Sequence, residues 1–212
     1  MKISFSYLDS HKTCKINNMS KKNEKTSPIV QSGDPVLREK AKDVPLAEIS
    51  SRQVKNILSR MANALEAEQD GVALAAPQLG IPLRIFVVSH RAFELEEEQK
   101  TKKAPVEKMP RKNLVAINPA ITKLSKKKSW VPEGCLSVRW LYGKSLRHEK
   151  ATIRAYDENG KLYTYGGAGL IAQVFQHETD HLNGTLFIDH AKEVEELPPE
   201  EIEKIQKQNA KV

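Results

Sequence analysis

The segment QHETDH at residues 176–181 contains the side chains best suited to chemistry. On a helix, His177 and His181 lie one turn apart on the same face, so their imidazoles can bind one metal ion. Glu178 lies beside the first histidine and can act as general base toward water at that ion. Both histidines continue the apolar face of the upstream residues, where buried imidazoles without partners would be costly. The pattern therefore predicts a metal site.

A third metal ligand would separate the reaction classes that share this motif. One protease group continues as HExxHxxGxxH, and here Gly184 fits but Phe187 takes the last ligand position. Another group uses a downstream glutamate, and the candidates lie in a highly charged stretch typical of a solvated surface: Glu193, Glu195, Glu196, Glu200 and Glu201. Upstream, Cys135 is either an inert core thiol or a thiolate ligand. Beside an HExxH helix, the thiolate ligand is the better interpretation.

Three segments in this order resemble the motifs of the peptide deformylase family. They are GVALAAPQLG at residues 71–80, EGCLS at residues 133–137 and QHETDH at residues 176–181. The stretch that begins at Pro28 is also similar to the start of that family, and the resemblance covers about residues 28–190. It implies removal of the N-formyl group from the N-terminal formylmethionine of nascent polypeptides, by a metal-bound hydroxide.

The resemblance also implies a role for individual residues. Glu178 would act as general base and acid, while the Gln78 side-chain amide and the Leu136 backbone N–H would stabilise the oxyanion. The implied ion is Fe(II), with Zn(II), Ni(II) or Co(II) as replacements, since a thiolate ligand suits both iron and zinc. The implied metal ligands are Cys135, His177 and His181.

The substrate-binding residues are expected on the segments that frame the site. Those that could hold a linear methionine side chain, or could equally be core residues, are Val72, Leu170 and Val174, with Gln173 near the pocket rim. Ala73 would contact substrate through its backbone, but it stands where the family often has glycine, so its Cβ adds bulk. Arg139 stands where the family commonly has proline, at the mouth of the cleft. No chemical group is missing, so we expect an active enzyme.

Composition excludes several other classes of protein. The net charge is +7, but residues 1–27 carry +4 of it, and the small remainder argues against specific DNA binding. No apolar run approaches the roughly 18 residues of a membrane span. Two cysteines, Cys14 and Cys135, fit a reducing compartment, and the N-terminus lacks the form of a signal peptide. We therefore expect a cytoplasmic protein, and a monomer.

The elements that must position the site predict an α+β fold. We expect short, mostly antiparallel strands around a central HExxH metal-binding helix, with an N-terminal helix and a C-terminal helix. The predicted elements are a helix at residues 52–69, strands at 83–88 and 114–117, a solvated loop at 94–112, a hairpin at 151–165 and a helix at 168–182. Asn118 and Pro119 should end the second strand. Pro198 and Pro199 should open the last helix.

The chain is expected to have three parts. Residues 1–27 are expected to be a disordered basic tail, with Met19 as an alternative start. Residues 28–190 would form the catalytic domain, and residues 191–212 a charged C-terminal helix.

Two functions of other classes remain as alternatives. One is a zinc peptidase with a downstream glutamate ligand, which replacement of Cys135 would distinguish. The other is a non-catalytic, ribosome- or RNA-associated protein without metal, which would bind phosphate through its basic tail and Lys123, Lys126, Lys127 and Lys128. For a deformylase, a transient ribosome contact would raise the rate of encounter with nascent peptides. Its candidate residues are the same lysine cluster and the final helix, with Lys204, Lys207 and Lys211.

Overall fold

The computed structural model describes residues 29–100 and 112–209, with only the backbone described at residues 99 and 100. The predicted tail at residues 1–27, with its alternative start at Met19, lies outside the described residues. Residues 101–111 of the predicted loop and the last three residues of the chain also lie outside them.

The described residues form four α-helices and eight β-strands. The helices are α1 (Arg52–Ala67), α2 (His90–Lys100), α3 (Gly169–Leu182) and α4 (Pro199–Asn209). The strands are β1 (Ala73–Ala75), β2 (Ile85–Val88), β3 (Leu114–Leu124), β4 (Lys128–Gly134), β5 (Leu141–His148), β6 (Lys150–Tyr156), β7 (Leu162–Ala168) and β8 (Lys192–Glu196). One sheet has the order β1-β2-β3-β6-β7 and the other β4-β5-β8, and neighbouring strands are antiparallel in both. The predicted α+β class is confirmed.

The five-stranded sheet lies between α1 and α3. Ile85 and Val87 of β2 belong to one hydrophobic cluster with the apolar face of α1. Phe86 and Val88 belong to a second cluster with the apolar residues of α3. Because β2 is buried on both faces, its sequence is continuously apolar rather than alternating. This packing makes α3 the central helix of the fold, as predicted.

The ends of α1 and α3 lie within two residues of their predicted positions. The Ser51 hydroxyl accepts a hydrogen bond from the backbone N–H of Val54 and so caps α1. The predicted end of this helix at residue 69 was two residues too long, because the helix stops at Ala67. At the end of α3, Gly184 has a φ of +77°, which a glycine adopts without strain.

The predicted end of the second strand at Asn118 and Pro119 was wrong. Strand β3 continues through both residues to Leu124, with a register irregularity between Ile117 and Ala120. Asn118 has a φ of +50°, and its side-chain amide forms two hydrogen bonds with the backbone of Val44, at 2.7 and 2.8 Å. A bulge therefore absorbs the proline that would otherwise interrupt the strand.

Two other predicted ranges also differ from the structure. Residues 94–100 belong to α2 rather than to a solvated loop, and Glu96 on this helix is buried. Residues 191–212 are not helical throughout, since strand β8 pairs with β5 before α4 begins at Pro199. The predicted hairpin is present as β6 and β7. None of the helices in the described ranges is both long and apolar enough to cross a membrane.

Candidate active site

Three side chains converge between α3 and the residue that follows β4. The ligand atoms of Cys135, His177 and His181 all lie within 4.8 Å of one another. The Cys135 Sγ is 3.1 Å from the His181 Nε2, and the two imidazole centroids are 4.9 Å apart. Within residues 29–98 and 112–209, this is the group of histidine, cysteine and acidic side chains close enough to hold one ion. None of the downstream glutamates belongs to it.

The donor set suits a borderline divalent ion. One thiolate and two imidazoles are ligands that Zn(II) and Fe(II) both accept in proteins. Burial lowers the pKa of His181 well below its usual value, so its imidazole is neutral and can donate a lone pair. Its Nδ1 has no hydrogen-bond partner among the described residues. The residues present therefore fit a metal ion.

The close approach of two strands places Cys135. Cys135 comes directly after Gly134, the last residue of β4, which pairs with Tyr142 on β5. A Cβ at Gly134 would collide with the Tyr142 ring, so glycine is required here. The turn that follows is closed by a hydrogen bond of 3.0 Å from the Val138 N–H to the Cys135 carbonyl. The Ser137 N–H also lies 3.4 Å from the Cys135 Sγ and directs a donor at it.

A buried carboxylate orients the first histidine. The Glu133 Oε1 accepts a hydrogen bond of 2.7 Å from the His177 Nδ1, which leaves Nε2 free to face Cys135. Arg147 donates two hydrogen bonds to Glu133, at 2.6 and 2.9 Å, and a third of 2.6 Å to Asp180. Burial alone would raise the pKa of Glu133, but the hydrogen bonds from Arg147 and His177 hold it well below its usual range. These three supporting residues were not among the predicted site residues.

Glu178 lies in the same cleft and has an unusual environment. Its side chain is 3% exposed, and its Oε2 has no hydrogen-bond partner among the described residues. Burial raises the pKa of Glu178 to about 7. A carboxyl group with such a pKa can accept and return a proton near neutral pH.

Gln78 presents an amide donor to the cysteine. Its Oε1 accepts a hydrogen bond of 2.8 Å from the Ala75 N–H, which fixes the orientation of the amide. Its Nε2 lies 3.2 Å from the Ser137 Oγ and 3.6 Å from the Cys135 Sγ. Leu136, the other predicted oxyanion residue, is buried beside them and lines the cleft.

A cleft of about 730 Å³ opens onto these residues. Its lining includes every residue predicted to bind substrate: Val72, Ala73, Leu170 and Val174, together with Gln173. It also includes residues that sequence analysis did not assign to the pocket: Val131, Pro132, Tyr142 and His148. Val131 shares the inward face of β4 with Glu133, but this alternation in burial has no counterpart in the strand's sequence, KSWVPEG, which does not alternate between polar and apolar residues.

Arg139 contributes to the lining of the cleft. Its guanidinium forms ion pairs of 2.6 Å with both Glu68 and Asp70. Asn209, at the end of α4, donates a hydrogen bond of 2.7 Å to Glu68. We call Glu68, Asp70 and Arg139 the rim; it joins the segment after α1 to the segment after Cys135.

Comparison with known proteins places this chain in one family. The sequence model described as Polypeptide deformylase matches residues 26–197. Peptide deformylase 1A, chloroplastic, of Solanum lycopersicum is 38% identical over 169 residues, which cover 80% of this chain and 61% of the relative. The chain thus spans about three-fifths of the length of that relative. Peptide deformylase of Desulforudis audaxviator is 38% identical over 77% of this chain and 92% of its own length.

A solved structure agrees with the sequence relatives. The Met-Ala-Ser-bound class I type b peptide deformylase from Acinetobacter baumannii is 28% identical, with a TM-score of 0.64. The match covers 77% of this chain and 97% of that chain. This chain belongs to the polypeptide deformylase family.

Proposed function

We propose that this chain hydrolyses the N-formyl group from the N-terminal formylmethionine of nascent polypeptides, and so acts as a peptide deformylase. The observation that carries the proposal is the convergence of Cys135, His177 and His181 beside a buried Glu178. Amide hydrolysis needs an activated water, donors for a developing oxyanion and a proton for the leaving amine. The cleft offers a candidate group for each requirement.

We infer that Cys135, His177 and His181 hold one divalent ion. Fe(II) is the ion that we expect, with Zn(II), Ni(II) or Co(II) able to replace it. When bound, the ion would act as a Lewis acid and lower the pKa of a water molecule. Glu133 would keep the His177 ring in the orientation that directs Nε2 toward the ion, because it accepts the Nδ1 proton.

The remaining steps are assigned to groups of the chain itself. Glu178 accepts a proton from the attacking water and later delivers one to the leaving nitrogen, so formate and a free α-amine are released. The Gln78 Nε2 and the Leu136 backbone N–H donate to the oxygen of the former formyl carbonyl as it gains negative charge. Gln78 is preorganised for this task because the Ala75 N–H already fixes its Oε1.

The apolar walls of the cleft support a methionine side chain as the group recognised. Val72 lies on one wall, and Leu170 and Val174 lie on the other. The Acinetobacter relative was solved with Met-Ala-Ser, a peptide that begins with methionine. We infer that the same type of peptide, carrying an N-formyl group, is the substrate here. Nascent chains at the ribosome are the expected source of such peptides.

The test combines metal analysis with turnover. The chain, purified without oxygen, should contain one metal ion and should release formate from formyl-Met-Ala-Ser but leave Met-Ala-Ser unchanged. Cys135→Ala should lose tight metal binding. Glu178→Gln should keep the metal and the fold but lose about 10²- to 10⁴-fold in turnover.

Glu195→Gln is the matched control, since it makes the same change at an exposed carboxylate of β8. It should leave both metal content and turnover unchanged. If Cys135→Ala keeps the metal and one of the downstream glutamates at 193–201 holds it instead, the zinc-peptidase alternative is correct. A chain without any metal would favour the non-catalytic alternative.

A further inference from the structure

Helix α2 contacts both walls of the cleft without lining it. One wall follows α1 and contains Val72 and Ala73; the other is the start of α3 and contains Leu170 and Val174. No described residue of α2 contributes to the cleft surface. The helix therefore can act on the pocket only through the walls that it holds.

The first half of α2 holds the wall that follows α1. The Arg91 guanidinium donates hydrogen bonds to the carbonyl oxygens of Leu65 and Glu68, at 2.8 and 3.0 Å. Each of these carbonyls also accepts a hydrogen bond from a backbone N–H, from Glu68 and Gly71 respectively, so Arg91 adds a second donor to each. A cation at the end of a helix also interacts favourably with the helix dipole. Just before α2, the Ser89 N–H donates a hydrogen bond of 2.8 Å to the carbonyl of Val72 in the wall itself.

The second half of α2 holds the wall formed by α3. Glu96 is 7% exposed, and its Oε2 accepts a hydrogen bond of 2.7 Å from the Leu170 N–H. The N-cap position of α3 is Ala168, which has no side chain able to cap the helix. The Glu96 carboxylate thus supplies the missing cap, where negative charge is favourable.

The contact between Glu96 and the start of α3 requires glycine at position 169. Its φ is +52°, and a Cβ at this position would lie 2.7 Å from the Glu96 Oε2. The carboxylate therefore lies directly against the backbone of the helix start, and a side chain at residue 169 would displace it.

The middle of α2 joins the two anchors rigidly. Ala92 is fully buried in the hydrophobic cluster that contains Val174. Phe93 packs edge-on against Tyr165 of β7, with ring centroids 5.9 Å apart. Arg91 and Glu96 are five positions apart on one helix, a separation of about 7.5 Å along the axis.

We propose that α2 sets the distance between the two cleft walls, with Arg91 and Glu96 as positioning residues that determine how closely the pocket fits a methionine side chain. The inference rests on the proposed function, since that function assigns the pocket to methionine. A pocket discriminates between apolar side chains only while its walls are held in place.

The test measures kcat and KM separately. Glu96→Ala should raise KM for formyl-Met-Ala-Ser by up to about fivefold, the limit reached if the whole stabilising effect of one helix cap is lost from substrate binding. We expect kcat to stay within about twofold of the wild-type value, because the wall binds the ground state and the transition state alike. The preference for formyl-Met over formyl-Ala peptides should fall by a similar factor. Glu96→Gln keeps a side-chain acceptor and should recover part of the loss. The exposed neighbour Glu94, changed to Gln, is the matched control and should behave as wild type.

We call α2 with its contacts through Arg91 and Glu96 the brace. A double variant tests whether these two residues act together through α2 or whether each substitution disturbs only the wall that it contacts. Arg91→Met should raise KM in the same way. The double variant Arg91→Met with Glu96→Ala should be no worse than the more severe single variant, because loss of either contact already leaves the distance between the two walls unfixed. Fully additive losses, a fall in kcat alone, or kinetics of Glu96→Ala equal to those of Glu94→Gln would overturn the proposal. If Glu96→Ala does not fold, Glu96→Gln decides the question by the same criteria.

Failure of the proposed function would look different. In that case the wild-type chain and Glu94→Gln would both fail to release formate. Amide hydrogen exchange at Leu170 then tests the brace by a measurement that does not depend on enzyme turnover. Glu96→Ala should speed exchange in the first turn of α3. An unchanged exchange rate at Leu170 would overturn the proposal, independently of the kinetic results.

Discussion

The Glu133 carboxylate serves two neighbours at once. It neutralises the buried Arg147 guanidinium and accepts the Nδ1 proton of His177, and its own side chain is 2% exposed. A buried arginine left without its carboxylate would be costly. The orientation of one candidate metal ligand is therefore coupled to a buried ion pair.

We predict that Glu133→Gln weakens metal binding about 10- to 100-fold, the usual effect of removing the hydrogen-bond partner of a ligating histidine. The amide is a weaker acceptor for His177 and leaves Arg147 with less compensation. Competition with a chelator measures the affinity. Glu193→Gln is the control, because its carboxylate also pairs with a cation, Lys144, but on the exposed strand β8. Equal affinities for the two variants would remove Glu133 from the support of the site.

Residue types and spacing predicted several of the side chains that the fold brings together at the cleft, but not those that hold them in place. His177, His181 and Glu178 were identified because helical spacing fixes their relation before the fold is known. Arg147 was not, because its contact with Glu133 depends on the pairing of β4 with β5 and on where α3 packs. A supporting residue of this kind has no local signal in the sequence.

Among the elements, the helices that bury an apolar face were predictable and α2 was not. The charge density of residues 94–100 indicated a solvated loop, yet the same residues are strong helix formers. What fixes the helix in the fold is a few contacts, those of Arg91, Ala92 and Glu96, which involve α1 and α3. Such contacts cannot be inferred from composition.

Strand β3 depends on Asn118 in a way that also escaped prediction. A proline usually marks the end of a strand, but the Asn118 side chain satisfies both backbone groups of Val44 and stabilises a bulge. Asparagine also tolerates the positive φ at this position better than most residues.

We predict that Asn118→Ala destabilises the fold by about 2 kcal/mol, because it removes two hydrogen bonds and places a Cβ-only residue at a positive φ. Asn118→Gly should lose less, since glycine adopts this φ without strain but lacks the amide. Chemical denaturation of the three proteins measures the difference. If Asn118→Gly is as unstable as Asn118→Ala, the backbone conformation contributes nothing and the hydrogen bonds alone stabilise the bulge.

In the whole molecule, α4 is an extension attached to the cleft. The family match ends at residue 197, before the helix begins. Ile202, Ile205 and Asn209 are its partly buried residues, and they recur at helical spacing. Asn209 accepts a hydrogen bond of 2.8 Å from the Gln69 N–H in addition to its contact with Glu68. The end of α4 therefore stabilises the rim through Asn209.

The outward face of α4 has charges of both signs. Lys207 forms an ion pair of 2.6 Å with Glu203. The nearby carboxylate weakens the attraction of this lysine for a phosphate group. The lysine cluster before β4 is similar, since Lys127 pairs with Glu149. A ribosome contact through these surfaces would be electrostatic and weak, and would depend steeply on salt.

We predict that a chain ending at Leu197 keeps its metal and its kcat, because every candidate site residue precedes that position. It should lose part of its co-sedimentation with ribosomes at low salt, where phosphate contacts are strongest. Asn209→Ala in the full chain is the matched control: it releases the rim but keeps the charged helix, so it should retain ribosome binding. Loss of metal on truncation would show that α4 belongs to the catalytic unit. Unchanged co-sedimentation, in the truncated chain and with Lys126, Lys127 and Lys128 also neutralised, would show that neither surface makes the contact. Absence of co-sedimentation of the full chain at low salt would leave free diffusion as the only route to the nascent peptide.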